Sequence, residues 1–174
     1  AIAQKPYFKT YELPEPHKKT TIKKVHQSND GYIWFGTDEG LFQFDGTQYT
    51  HFLRTDSLAQ NQVSCFYNGE DGKLWIGYED GGIAYLKDKH LILWQPSNNQ
   101  INFPINGIVE GTGNSLWIAT YGGGLFHYNS HQLTSINQSN GLSSNDIYAI
   151  SLDKDGELWA GTDRGINVCH FKNE

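Results

Sequence analysis

The sequence predicts an all-β chain, a β-propeller of four-stranded antiparallel blades, and two observations carry that prediction. The first is a fourfold internal repeat; the second is the alternation of glycine-rich turns with aromatic-rich segments. Four of the five tryptophans, Trp34, Trp75, Trp117 and Trp159, stand 41, 42 and 42 residues apart. The same phrase surrounds each of them: Asp30-Gly31-Tyr32-Ile33-Trp34-Phe35-Gly36-Thr37, then Asp71-Gly72-Lys73-Leu74-Trp75-Ile76-Gly77-Tyr78, then Gly113-Asn114-Ser115-Leu116-Trp117-Ile118-Ala119-Thr120, then Asp155-Gly156-Glu157-Leu158-Trp159-Ala160-Gly161-Thr162. Six residues after each tryptophan comes a glycine: Gly40, Gly81, Gly123 and Gly165. Repetition at this period marks propeller blades.

One repeat reads as follows. In the fourth copy, Ile147 to Leu152 is rich in strand formers, Asp155-Gly156 reads as a two-residue turn with φ > 0, and Leu158 to Thr162 is a second strand. Asp163-Arg164-Gly165 turns the chain again into a third strand from Ile166 to Phe171. In the first copy the third strand is Leu41 to Phe44, Asp45-Gly46 turns, and Gln48 to Leu53 makes a fourth. A blade sandwiched between two others buries both faces of its inner strands, hence their near-continuous apolar character. The repeated tryptophan is expected to fill the gap between neighbouring blades. Trp94 breaks the period and falls on a predicted outer strand, partly exposed.

These signals divide the chain into blades at about 20–53, 61–95, 103–137 and 145–172, a single propeller segment. Residues 1–6 read as a leader, because Ala1 and Ala3 are the small residues that signal peptidase leaves behind. Tyr7-Phe8-Lys9-Thr10-Tyr11-Glu12-Leu13 reads as a lone outer strand. The fourth repeat stops after three strands. The lone strand could complete it and close a four-bladed ring, the lower limit for a propeller. Equally, the four blades could open a larger ring.

Composition excludes several functions. A formal net charge of −6 gives no cationic field for a phosphate backbone, so nucleic acid is not an expected partner. No apolar run is long enough to span a membrane, so any membrane attachment lies outside this segment. Cys65 and Cys169 sit in separate hydrophobic runs and read as buried thiols. His127 and His131 are four apart across a strand end and a turn, with no Cys-x-x-Cys or His-Glu-x-x-His beside them, so no metal is expected.

The phrase Asp-Gly-x-Ile/Leu-Trp-x-Gly-Thr, followed by Gly-Leu and Phe-x-Phe-Asp-Gly, resembles the two-component regulator propeller repeat. So does Gly141-Leu142-Ser143-Ser144-Asn145-Asp146-Ile147, which matches the loop leading into each blade of that family. The third copy departs from the pattern, with Gly113-Asn114 in place of Asp-Gly and Phe103-Pro104 in place of Asn-x. The resemblance implies a periplasmic sensor, the N-terminal ectodomain of a hybrid histidine kinase, that recognises breakdown products of complex polysaccharides. It also implies more blades than four, since such ectodomains typically carry two seven-bladed propellers and a sandwich domain. Any kinase or other effector part would lie beyond Glu174. The Asp-x-Gly-x-x-Trp flavour is similar to the Asp-box of sialidases too. Those enzymes hold a carboxylate with three arginines, and this chain has two, Arg54 and Arg164.

In a propeller, the loops joining second to third strands share a face with the loops leading into the first strands, and ligands bind where they converge. Here the former carry Asp38, Glu39, Tyr78, Glu79, Tyr121, Asp163 and Arg164, and the latter add Asn61 and Asn145. Tyrosine faces suit the apolar side of a sugar ring, while amides and carboxylates suit its hydroxyls. An oligosaccharide or other small ligand is therefore the expected partner, with no catalytic residue and no cofactor. Two alternatives stay open. One is a structural propeller that forms a homodimer through its open blades. The other is part of a polysaccharide-degrading enzyme, which would need a carboxylate pair across the scissile bond.

Overall fold

The computed structural model describes residues 7–54, 61–96 and 100–170. They form four antiparallel sheets, each a meander. The first holds β1 (Ile22–Gln27), β2 (Ile33–Thr37), β3 (Leu41–Phe44) and β4 (Tyr49–Phe52). The second holds β5 (Val63–Asn68), β6 (Leu74–Tyr78), β7 (Ile83–Lys87) and β8 (His90–Leu93). The third holds β9 (Ile105–Glu110), β10 (Leu116–Thr120), β11 (Leu125–Tyr128) and β12 (Leu133–Ile136). The fourth has three strands, β13 (Ile147–Leu152), β14 (Leu158–Thr162) and β15 (Gly165–Cys169). Phe171, expected in the last strand, and the expected leader at 1–6 lie outside the described residues.

Turn chemistry sets the meanders. Between β3 and β4, Asp45 Oδ1 accepts the backbone N–H groups of Thr47 and Gln48, both at 2.7 Å. These bonds favour the charged form and hold its carboxyl below the ordinary range. The turn between β13 and β14 is longer than the two residues expected. Asp153 Oδ1 accepts from Asp155 N at 2.9 Å and Glu157 N at 3.0 Å, organising all five residues between Leu152 and Leu158. The third copy makes the same kind of turn as the second despite its changed sequence. Asp71-Gly72 and Gly113-Asn114 both place two successive residues at positive φ, because Asp, Asn and Gly all tolerate the left-handed region.

The innermost strands β1, β5, β9 and β13 pack on one another in chain order, so the sheets form a fan of blades. Each tryptophan fills the space in front of the next blade. Trp34 packs with Val63 and Ile76, Trp75 with Ile105 and Ile118, and Trp117 with Ile147 and Leu158. Trp94 meets Trp75 and Tyr128 edge-on, at centroid distances of 6.1 and 5.2 Å, and so stitches the outer edges of the second and third blades.

The fan is open among the described residues. Trp34, Trp75 and Trp117 are 0%, 6% and 3% exposed, whereas Trp159, with no blade in front of it, is 44% exposed. Ile166 on the same face is also exposed, and so are Ile22 and Val25 at the opposite end, on β1. Segment 7–13 does not complete the fourth blade; it forms no strand. It lies along the first blade instead, with Tyr11 edge-on to Phe44 at 5.2 Å and Leu13 buried. Only Leu13 and one edge of Tyr11 are used for packing; Tyr7 and Phe8 are 89% and 84% exposed, and the segment makes no ladder. Cys65 and Cys169, in the second and fourth blades, are both free thiols, Cys65 buried and Cys169 partly so.

Candidate functional site

The loops that end β2, β6, β10 and β14 are closed by the strand's own last residue. The hydroxyls of Thr37, Thr120 and Thr162 donate to the carbonyls of Gly40, Gly124 and Gly165 at 2.8, 2.8 and 2.9 Å. In the second blade, where Tyr78 replaces threonine, its backbone N–H bonds Gly82 O at 3.0 Å. The closing glycine is therefore Gly82 and Gly124 in the middle blades, one residue beyond the Gly81 and Gly123 that the periodicity singles out. Those two loops are one residue longer than their neighbours.

The lead-in loops lie against these turns, as expected from the sequence. Glu79 N donates to Gln62 O at 3.0 Å, Tyr121 N to Pro104 O at 3.0 Å, and Gly122 N to Asn145 O at 3.1 Å. Many of the expected ligand contacts are nonetheless engaged within the fold. Asn61 Oδ1 accepts from Arg54 N and Asn145 Oδ1 from Gln138 N, both at 2.9 Å. Asp38 accepts from Thr21 N at 3.1 Å. Glu39 bonds His17 Nδ1 at 2.6 Å, which holds its carboxyl below the ordinary range. Tyr78 is 1% exposed beneath the Arg54 guanidinium, which in turn reaches Asp80 at 2.8 Å. It is therefore closed to a ligand, because its ring lies in the cluster between the first and second blades with Arg54 over it.

What stays open is a group between the third and fourth blades. Tyr121, on the loop after β10, and Tyr148, on β13, meet edge-on at 5.9 Å, and both are exposed. Tyr121 also forms an isolated β-bridge with Asp146, which fixes the loop against the start of the innermost strand. Desolvation pushes the Tyr148 phenol up, and the neighbouring Tyr121, Asp146 and Asp163 add to the effect. The structure thus brings together Tyr121 and Asp163, both expected, with Tyr148 and Asp146, both missed. Arg164, exposed, lies 4.0 Å from Asp163. Glu79 is half-buried and Asn61 occupied, both on the second blade. Two edge-on phenols flanked by carboxylates offer an apolar wall and hydroxyl acceptors, with Arg164 the nearby cation.

The profile of the two-component regulator propeller matches residues 57–80 and 141–164, the lead-in loop and first hairpin of the second and fourth repeats. The second and fourth repeats match the two-component regulator propeller repeat. Over 170 residues the chain is 24% identical to histidine kinase P4 of Formosa agariphila, covering 87% of this chain and 12% of that one. It is similar also to the extracellular domain of what is described as a hybrid two-component system of B. thetaiotaomicron. That likeness has 27% identity and a TM-score of 0.72, covering 91% of this chain and 23% of that domain. The chain thus spans between about an eighth and a quarter of the length of the relatives it matches. A streptogramin B lyase shares the fold, with a TM-score of 0.70 at 17% identity. Among the described residues, no three His, Cys, Asp or Glu side chains gather as metal ligands.

Proposed function

We propose that this segment belongs to the exported, periplasmic ectodomain of a two-component sensor and binds oligosaccharides released from polysaccharides, without catalysing a reaction itself. The observation that carries the reading is the exposed Tyr121–Tyr148 pair with Asp146 and Asp163 beside it. Phenol faces stack on the C–H side of a pyranose, and carboxylates accept from its hydroxyls. The paired carboxylates favour an uncharged sugar over a uronate. The repeat family and the extracellular neighbour support the sensor setting.

Calorimetric titration of the chain with neutral and uronate oligosaccharides tests the reading. Tyr148→Ala and Asp163→Ala should each weaken a bound neutral sugar by roughly tenfold or more, about 1.4 kcal/mol. Unchanged affinity in both variants would remove the site.

A second reading, self-association through the terminal blades, is favoured by the exposed Trp159, Ile166, Ile22 and Val25. Apolar faces of that kind seek a partner.

A further inference from the structure

The third repeat departs from the others in its lead-in loop, and the departure opens a groove. In the second and fourth repeats that loop begins with Asn61 and Asn145, whose side chains each accept the backbone N–H of the residue seven positions earlier. Phe103 stands at the equivalent place and has no such acceptor. Its ring lies instead on the glycines of the neighbouring loop. A Cβ on Gly123 would come within 2.4 Å of the ring, so glycine there leaves room for it, and Gly122 borders the ring at ordinary contact distance. With one side seated on backbone, the ring is still 39% exposed.

The exposed side borders a groove of about 550 Å³ between this loop and the outermost strand β12. That volume falls within the range of roughly 300–1,000 Å³ that holds small ligands. Phe103, Phe126, Gln132, Thr134, Ser135 and Asn145 line it, and no lining residue carries a charge. The side chains of Gln132, Thr134 and Ser135 make no hydrogen bond to the described residues. Asn145 spends its carbonyl oxygen on Gln138 N and keeps its amide N–H groups. The walls therefore offer both donors and acceptors beside an aromatic platform. An anion would find no cation here, a cation no carboxylate, and an apolar ligand would leave the amides unpaired at a cost.

We propose that this groove is a second binding site, for a neutral oligosaccharide seated on the Phe103 ring. It does not rest on the Tyr121–Tyr148 reading. The two sites share the loop at 121–124 and the lead-in residues 145–146, and their other residues can be changed separately.

The test titrates the 174-residue chain with maltohexaose, cellohexaose and mannohexaose, with hexagalacturonate as the charged control. Binding is followed by calorimetry and by backbone amide shifts. The expected result is saturable binding of at least one neutral probe, with shifts centred on β12 and residues 103 and 122–123. Phe103→Ala and Gln132→Ala should weaken roughly tenfold the binding read from these groove shifts, while Tyr148→Ala leaves the shifts at β12 and residue 103 unchanged. Because Phe103→Ala strips the cover from Gly123, the exposed Thr134→Glu serves as a second variant. It should weaken the neutral probe with the near-UV spectrum intact. The proposal is overturned if no neutral probe saturates the groove shifts, if hexagalacturonate produces them as well, or if Tyr148→Ala abolishes them.

Discussion

The side-chain amide of Asn106 donates to the backbone carbonyl of Ile147, 2.8 Å away in the following blade. One blade earlier, the Ser64 hydroxyl donates in the same way to Ile105 O, at 2.5 Å. Both residues are second in the innermost strand of their blade, where the pairing register slips by a residue. A bulge re-aims the side chain of the extra residue, and here it reaches the neighbouring sheet. The blades are thus joined by a hydrogen bond repeated in step with the sequence, as well as by apolar packing.

Asn106→Ala should therefore destabilise the chain by about 1–2 kcal/mol, because it strands a carbonyl at a blade interface. Asn106→Ser, copying the second blade, should recover part of that loss. Urea unfolding followed by tryptophan fluorescence measures both. An unchanged midpoint for Asn106→Ala would show that water replaces the bond at no cost.

The tryptophans should separate sharply. Trp117→Ala removes a buried side chain from between the third and fourth blades and should cost about 3–5 kcal/mol, or prevent folding altogether. Trp159→Ala, at an open face, should cost no more than about 1.5 kcal/mol. Equal losses would mean that Trp159 is covered in solution.

The architecture was legible because each blade must fill the same gap with the same residue, so Trp34, Trp75, Trp117 and Trp159 repeat in register. Much of the candidate site was not. The sequence marks Asn61 and Asn145 as polar loop residues, but it does not reveal that each caps a backbone N–H seven residues back. Tyr148 hides because its counterparts Ser64 and Asn106 serve as blade connectors; its position on β13 gave no loop signal. The one available clue was its size, since neither serine nor asparagine needs the room of a tyrosine. Tyr78 misled in the opposite direction, looking like a surface aromatic where Arg54 and the first-blade side chains cover it.

Asp153 Oδ2 accepts the indole Nε1–H of Trp159 at 2.9 Å, and backbone N–H groups reach its other oxygen. The indole bond is the main cause holding its carboxyl below the ordinary value of 3.8. A carboxyl depressed in the folded state contributes stability above its unfolded pKa, and that contribution is lost as pH falls through the folded value. The Trp159 indole proton resonance should accordingly titrate with a midpoint below 3.8. Asp153→Asn should abolish that titration, and a midpoint at or above the ordinary value would break the assignment.

The two thiols should differ in reactivity. Burial pushes the Cys65 thiol up to about 12, and Cys169, half-buried, is raised as well by the same cause. The thiolate is the reacting species. An aromatic disulfide reagent at pH 8 should label Cys169 first, and Cys65 only once urea opens the second blade. Simultaneous labelling of both would mean that the second blade opens far more easily than its packing suggests.

The open ends give the last prediction. Every internal blade interface sets one blade's tryptophan against the next blade's innermost strand. The fourth blade exposes the tryptophan half of that contact in Trp159, and the first exposes the strand half in Ile22 and Val25. A second copy's β1 can therefore meet the fourth blade as β13 meets the third. Such a head-to-tail contact does not close on itself unless the rotation allows it, so dimers and larger species should coexist. Sedimentation velocity of the 174-residue chain should show mass rising with concentration. Val25→Lys and Ile166→Lys should each return it towards the monomer, and together they should do so fully. A parent chain that stays strictly monomeric throughout would mean that the terminal faces tolerate water, and that their apolar side chains are too scattered to drive association.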